Sequence, residues 1–164
     1  DRGFMEIDWQ KHHRFMPRPG WCGPATIWMV LDACGIRQPM GDIARSVWMK
    51  WYGTPPQLMA AYLAKYFEDV NYKELCNLQI IRTCLELKRI PIVNWNDGGE
   101  GHYSIVSKCD HNKVTLVDSS REHNWTYTID NKKFMDNWYD CLTSDNRMCH
   151  YGLLLWVDPE SVKL

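Results

Sequence analysis

The chain predicts an α+β domain, with helices gathered in its first half and an antiparallel sheet in its second. Three observations carry this. Helical spacing with recognisable caps runs through residues 22–88. From residue 90 onward short apolar or alternating runs take over, separated by Gly-, Asp- and Asn-rich turns. And 164 residues, 45% of them apolar and 24% charged, are enough for one ordinary globular domain with a real core. The whole of 1–164 is therefore taken as a single domain.

Taken in order, FMEIDWQ (4–10) alternates and is expected to be a short strand. KHHRFMPRPG (11–20) is a loop. Gly23-Pro24 opens a helix, since proline suits a first turn whose N–H groups are unpaired anyway. ATIWMVLDAC follows, and Gly35 ends it. Asp42 is expected to cap a second helix, IARSVWMKWY, ended by Gly53. Thr54 is expected to cap a third, PPQLMAAYLAKYF, with Leu58, Ala61, Tyr62 and Tyr66 at helical spacing. NLQIIRTCLELK makes a fourth, with Leu78, Ile81 and Leu85 on one face. IPIVNW (90–95) is a short apolar strand, and DGGEG a glycine-rich loop. HYSIVSKC (102–109) and KVTLVD (113–118) alternate on either side of a DHN turn, a hairpin signal. WTYTI (125–129) is a further strand, KKFMDNWYDC a short helix and GLLLWV (152–157) a final strand. DGGEG is no phosphate loop, because no GxxxxGK[ST] pattern and no helix follow it.

The formal net charge of −1 gives no electrostatic footprint for nucleic acid. No apolar run approaches the ~18 residues of a membrane span, and no signal peptide is visible; since the first residue is Asp1, a natural start segment is not excluded. The seven cysteines (22, 34, 76, 84, 109, 141, 149) form no CxxC pair and match no zinc spacing. They are expected to be reduced thiols, mostly buried, in a cytoplasmic protein. Nine tryptophans suit either a Trp-rich core or an aromatic groove for an extended ligand.

GWCGPA (20–25) sets the functional question. A thiol nucleophile reacts as thiolate, and the partial positive charge of a helix N-terminus favours that form. Cys22 stands where a helix begins. Its base would be His102, at the start of a strand behind a flexible loop. If the DHN turn is a three-residue loop, Cys109 faces Lys113, Asp118 faces Ser104, and His102 lies diagonally from Asp118 on the same face. A two-residue turn would put them on opposite faces. Other readings stay open on pattern alone: Cys22 as a buried small hydrophobe, His102 as a solvated strand start, Asp118 as a turn cap.

WCGPATIWMVL, GTPPQLMAAYLAKY, KRIPIVNW, GHYSIV with KVTLVDSS, and KKFMDNWYD resemble, in order and spacing over roughly residues 5–158, the C39-like branch of the papain-like cysteine peptidases. The resemblance implies a papain-like fold and a triad: Cys22 as nucleophile, His102 as general base and then acid, Asp118 orienting the imidazole. The family usually carries an oxyanion-binding glutamine about six residues before the cysteine; Met16 stands there. Gln10 is proposed to take that role across a lengthened loop, with the Cys22 N–H as second donor. VDSS replaces the family's frequent Asp-Pro, with Ser119 in the loop. His12 and His13 are expected to be exposed loop residues, with cleft lining or replacement of the missing oxyanion donor as the alternatives; His111, His123 and His150 are given no role. Trp21 is either a substrate wall or core. Trp95, Asp97 and Gly98 to Gly101 are expected to form a mobile flap. The implied activity is peptide-bond hydrolysis on a peptide or protein substrate, without a cofactor, since Cys–His chemistry needs none. The alternatives are a phytochelatin-synthase-like or transglutaminase-like acyl transferase, and an inactive relative that binds peptide tails.

Overall fold

The structure, a computed structural model, describes residues 6–50, 52–98, 100–141 and 149–164. Its helices are α1 (Trp9–His12), α2 (Cys22–Ala33), α3 (Met40–Val47), α4 (Pro56–Leu63), α5 (Leu78–Glu86) and α6 (Asn131–Asn137). Its strands are β1 (Val70–Lys73), β2 (Ile90–Asn96), β3 (Gly101–Cys109), β4 (Lys113–Asp118), β5 (Thr126–Asp130), β6 (Tyr139–Cys141), β7 (Cys149–Tyr151) and β8 (Leu154–Val157). Six strands form one antiparallel sheet in the order β1-β8-β2-β3-β4-β5, and β6 pairs β7 separately. The α+β class holds. Among the described residues no helix is long and apolar enough to cross a membrane.

Strand alternation divides the core between the two sheet faces. Ile90, Ile92, Tyr103, Ile105, Val117, Leu155 and Val157 pack with Ile27, Val30 and Leu31 of α2, Ile43 of α3 and Met59 and Leu63 of α4. Val93, Trp95, Val106, Leu116, Ile129 and Leu154 pack with Ile81 and Cys84 of α5 and with Phe134 and Trp138 around α6. β2 is buried on both faces through Trp95, which explains why IPIVNW is apolar without alternating.

Several expectations change. The segment expected as a strand becomes α1 from Trp9; Phe4 and Met5 lie outside the described residues. Asp42 sits inside the first turn of α3, which ends at Val47, short of Tyr52; Trp51 is outside the described residues. Thr54 caps nothing: Pro55 precedes α4, whose buried face is Met59, Tyr62 and Leu63, while Leu58 and Ala61 face solvent. β1 has only its first residue partly covered, so it carried no apolar signal. Cys141 and Cys149 stand opposite each other in β6 and β7 and are joined in a disulfide. This corrects the expectation of seven reduced thiols and removes cysteine usage as a reason for a cytoplasmic setting.

The hairpin differs near its turn. Asp110 closes it by accepting the Asn112 and Lys113 N–H groups at 2.8 Å each. Cys109 then faces Val114, and not Lys113 as expected. A bulge at Ser107 restores the register, so Val106 faces Leu116 and Ser104 faces Asp118.

Gly23 allows the closest approach in the fold's helical half. A Cβ there would stand 2.3 Å from Thr54 Oγ1, and Thr54 is itself held from the sheet by Tyr103, whose hydroxyl donates to its carbonyl at 2.8 Å. Gly23→Ala is therefore expected to cost about 1–3 kcal/mol through overpacking. Gly41→Ala, in ordinary contact within α3, is expected to be neutral or to stabilise by up to about 1 kcal/mol. Urea denaturation of the two variants checks both.

Candidate active site

Cys22 is the first residue of α2 and is half-buried. Trp21 precedes it as N-cap without a side-chain capping bond, and the Ala25 N–H closes the first turn onto the Trp21 carbonyl at 3.0 Å. The thiol thus lies where helix N–H groups are unpaired and the helix dipole is positive. Trp21 is half-buried, tilted against Trp48 with ring centroids 6.2 Å apart, and the Arg18 guanidinium lies 5.4 Å from its ring centre. These two contacts hold its ring beside Cys22.

His102 is the second residue of β3 and is buried. Its Nε2 lies 2.6 Å from Asp118 Oδ1, and Cys22 lies close enough to act on its titration. With Nε2 engaged by Asp118, Nδ1 is the nitrogen left for the thiol. Asp118 ends β4, fully buried. It accepts from Ser104 Oγ at 3.0 Å and from the Ser120 N–H at 2.8 Å. Ser104 in turn accepts from the Trp95 indole at 2.9 Å. The structure therefore brings Cys22, His102 and Asp118 together.

Asp118 is held by a fourth group that sequence reasoning missed. His123 Nδ1 lies 3.0 Å from its Oδ2. His123 follows Ser120 in a 3₁₀ turn and is stacked on Tyr127 at 4.2 Å. A loop histidine with no periodic partner gives no sequence signal; only the return of the chain after β4 shows where it lands. Burial presses the Asp118 carboxyl upward, but bonding to His102, to the Ser120 N–H and to His123 outweighs it and holds the group at about 2. Burial disfavours the His102 imidazolium, yet Asp118 and Cys22 together raise it well above the ordinary histidine range.

Gln10 is not brought to this group. It is exposed on α1, and His12 in the same turn is bonded to Asp32 at 2.8 Å. Asp32 lies ten residues along α2 from Cys22, about 15 Å of helix rise. The lengthened loop runs back toward the site only after His13, whose Nε2 lies 2.6 Å from the Asp118 carbonyl oxygen; the Met16 N–H then donates to the Ser119 carbonyl at 2.9 Å. His12 and His13 are thus half-buried and bonded, not free loop residues. Trp48 Nε1 is buried and lacks a hydrogen-bond partner among the described residues.

The expected flap is reduced to a short turn. Trp95 is buried in β2 and faces His102 across the ladder. Asp97, Gly98 and Glu100 are exposed, and Gly99 lies outside the described residues. Gly101 packs against a second polar group: a Cβ there would stand 2.1 Å from Asp140 Cγ. Asp140, buried in β6, accepts the Cys141 N–H at 2.8 Å. Asn94 joins this group to the site, donating to the His102 carbonyl at 3.3 Å and bonding His150 through its Oδ1. His111 is exposed in the hairpin turn. For an ion, the residues that converge are Asp97, His102 and His123.

The profile of the Peptidase C39 family matches residues 20–146. Two solved structures share the fold. One is the double-glycine-motif protease of an AMS/PCAT transporter, in complex with the leader peptide, at 13% identity and TM-score 0.62, covering 89% of this chain and 90% of that one. The other is the peptidase domain of Streptococcus ComA, a bifunctional ABC transporter of a quorum-sensing pathway, at 15% identity and TM-score 0.66, covering 88% and 96%. No curated protein matches the sequence. The chain belongs to the Peptidase C39 family.

The two shifts have opposite signs in stability. Asp118 titrates lower folded than unfolded, so its contribution is complete above the unfolded carboxylate value near ~3.9 and is lost as pH falls toward about 2. His102 titrates higher folded than unfolded, so its contribution is complete below ~6.5 and is lost as pH rises through its raised folded value. Equilibrium unfolding from pH 2 to 5 should show Asp118→Asn with a flatter acid limb than the parent; parallel limbs would contradict the assignment.

Proposed function

With membership of the Peptidase C39 family as the premise, we propose that the chain is a cysteine peptidase acting through Cys22, His102 and Asp118. The observation that carries this is the placement of one buried imidazole between a helix-start thiol and a fully buried carboxylate, at 2.6 Å from the latter. His102 takes the Cys22 proton, and the sulfur adds to the peptide carbonyl. The resulting oxyanion faces the Cys22 N–H at the head of α2. His102 then gives its proton to the leaving nitrogen, the C–N bond breaks and a thioester remains. Water, deprotonated by His102, attacks the thioester; the carboxylic acid leaves and the thiol is restored. Asp118 keeps the ring oriented and compensates its positive charge throughout.

The similarity to a double-glycine-motif protease bound to a leader peptide supports a substrate class for this proposal: a peptide carrying a double-glycine motif. The assay is cleavage of a synthetic leader peptide carrying that motif. Cys22→Ala is expected to abolish cleavage, and Asp118→Ala to lower kcat/KM on the order of 10²–10⁴. Cleavage that persists in Cys22→Ala sinks the reading.

One observation favours a second reading. Gln10, offered as the glutamine donor, is exposed on α1, and His12 of the same turn is bonded to Asp32 of α2. A missing oxyanion donor typically costs ~10²–10³ in turnover. A chain that binds the leader peptide intact and never cuts it is a peptide-binding relative; calorimetry beside the cleavage assay separates the two.

A further inference from the structure

His123 is absent from the catalytic steps above, yet it sits beside His102 with ring centroids 6.2 Å apart. One ligand atom each from Asp97, His102 and His123 lie within 4.8 Å of one another. Two imidazoles and a carboxylate are a donor set for zinc and neighbouring divalent ions of the first transition row. A magnesium or calcium site would be built of oxygens. Asp118 accepts from one nitrogen of each ring, Nε2 of His102 and Nδ1 of His123. A carboxylate bonded to the ring is what orients metal-bound histidines. His123 is further fixed by stacking on Tyr127 at 4.2 Å and on Trp95 at 6.3 Å. Asp97 is the adjustable member. It is exposed in the turn between β2 and β3, beside Gly98 at φ +126°. A tetrahedral zinc shell has ligand edges of about 3.3 Å, from its bond lengths of about 2.0 Å, so the turn must draw Asp97 inward.

We propose that Asp97, His102 and His123 form a binding site for zinc or a similar divalent ion, and that the bound ion silences the site by occupying His102. Silencing follows whichever nitrogen His102 gives. Nε2 serves Asp118 and Nδ1 is left for Cys22, so one of the two catalytic hydrogen bonds is lost. No bond in substrate is made or broken; the ion is taken up reversibly, and water fills the remaining coordination position. The silencing, though not the binding, rests on the peptidase reading.

Binding is measured by titrating Zn²⁺ alone into the Cys22→Ala protein with its Cys141–Cys149 disulfide intact, so that the nucleophilic thiol is no ligand and turnover plays no part. One ion per chain is expected. Adding Asp97→Asn, or separately His123→Gln, should weaken it by 10-fold or more, the scale on which even outer-sphere losses are felt. An affinity unchanged by either substitution overturns the three-residue site, and so does loss of binding in Cys22→Ala itself, which would place the ion on the thiol. If the zinc behaviour is as expected and the parent chain cuts no peptide, the peptidase reading fails and the ion site stands. In an active parent, zinc inhibition relieved at least tenfold by Asp97→Asn is the expected regulatory signature; equal inhibition of both overturns the silencing role.

Discussion

Two adjacent residues of one strand hold the site together. In β3, His102 and Tyr103 point to opposite faces of the sheet, as strand geometry requires. His102 meets the Asp118 carboxylate on one side. Tyr103 reaches through the other and donates to the Thr54 carbonyl. Thr54 fills the space over Gly23, immediately after Cys22. The position of α2 relative to the sheet is thus fixed by the residue next to the one it must serve. A small displacement of β3 would move His102 and the start of α2 together, which preserves their relation. The arrangement also explains why a glycine follows Cys22: any side chain there would push Thr54 off and tilt the helix start.

Around that strand the buried polar groups form a connected network. Trp95 donates to Ser104, Ser104 to Asp118, and Asp118 also accepts from the Ser120 N–H and bonds His102 and His123. A carboxylate with no exposed surface is costly unless its lone pairs are all engaged. Here the engagement both offsets burial and keeps the charge opposite His102. On the other side, Asp140 and Asn94 brace Gly101 and the His102 backbone. These two come from β6 and β2, so the histidine is held by segments far apart in the chain.

Much of this was legible in the sequence, and the failures are instructive. Helix α2 and its Cys22 head follow from Gly23-Pro24 and Gly35. The facing of Ser104 and Asp118 was expected from a turn that does not exist; the four-residue turn from Asp110 to Lys113 shifts the ladder, and the bulge at Ser107 shifts it back. Local pattern does not encode a bulge, so a correct register rested on a wrong premise. FMEIDWQ alternates like a strand, but Trp9 is drawn into the core and the chain coils into α1. That coil leaves Gln10 exposed. His123, Asp140 and the Cys141–Cys149 bond were illegible because each depends on a tertiary return of the chain, with no neighbour in sequence to announce it.

Activation of Cys22 by the buried imidazole of His102 can be read directly from thiol reactivity. The direct measurement is the rate of iodoacetamide alkylation of each free cysteine near pH 6.5, resolved by mass spectrometry, in the parent chain and in His102→Ala. Burial raises the thiols of Cys34 to about 12 and Cys84 to about 11, and raises Cys76 and Cys109 as well, so these four should stay silent. The account predicts that Cys22 is alkylated first and that His102→Ala slows it by about tenfold or more, on the scale of general base catalysis. A Cys22 no faster than the other four, or one indifferent to the loss of His102, would contradict it.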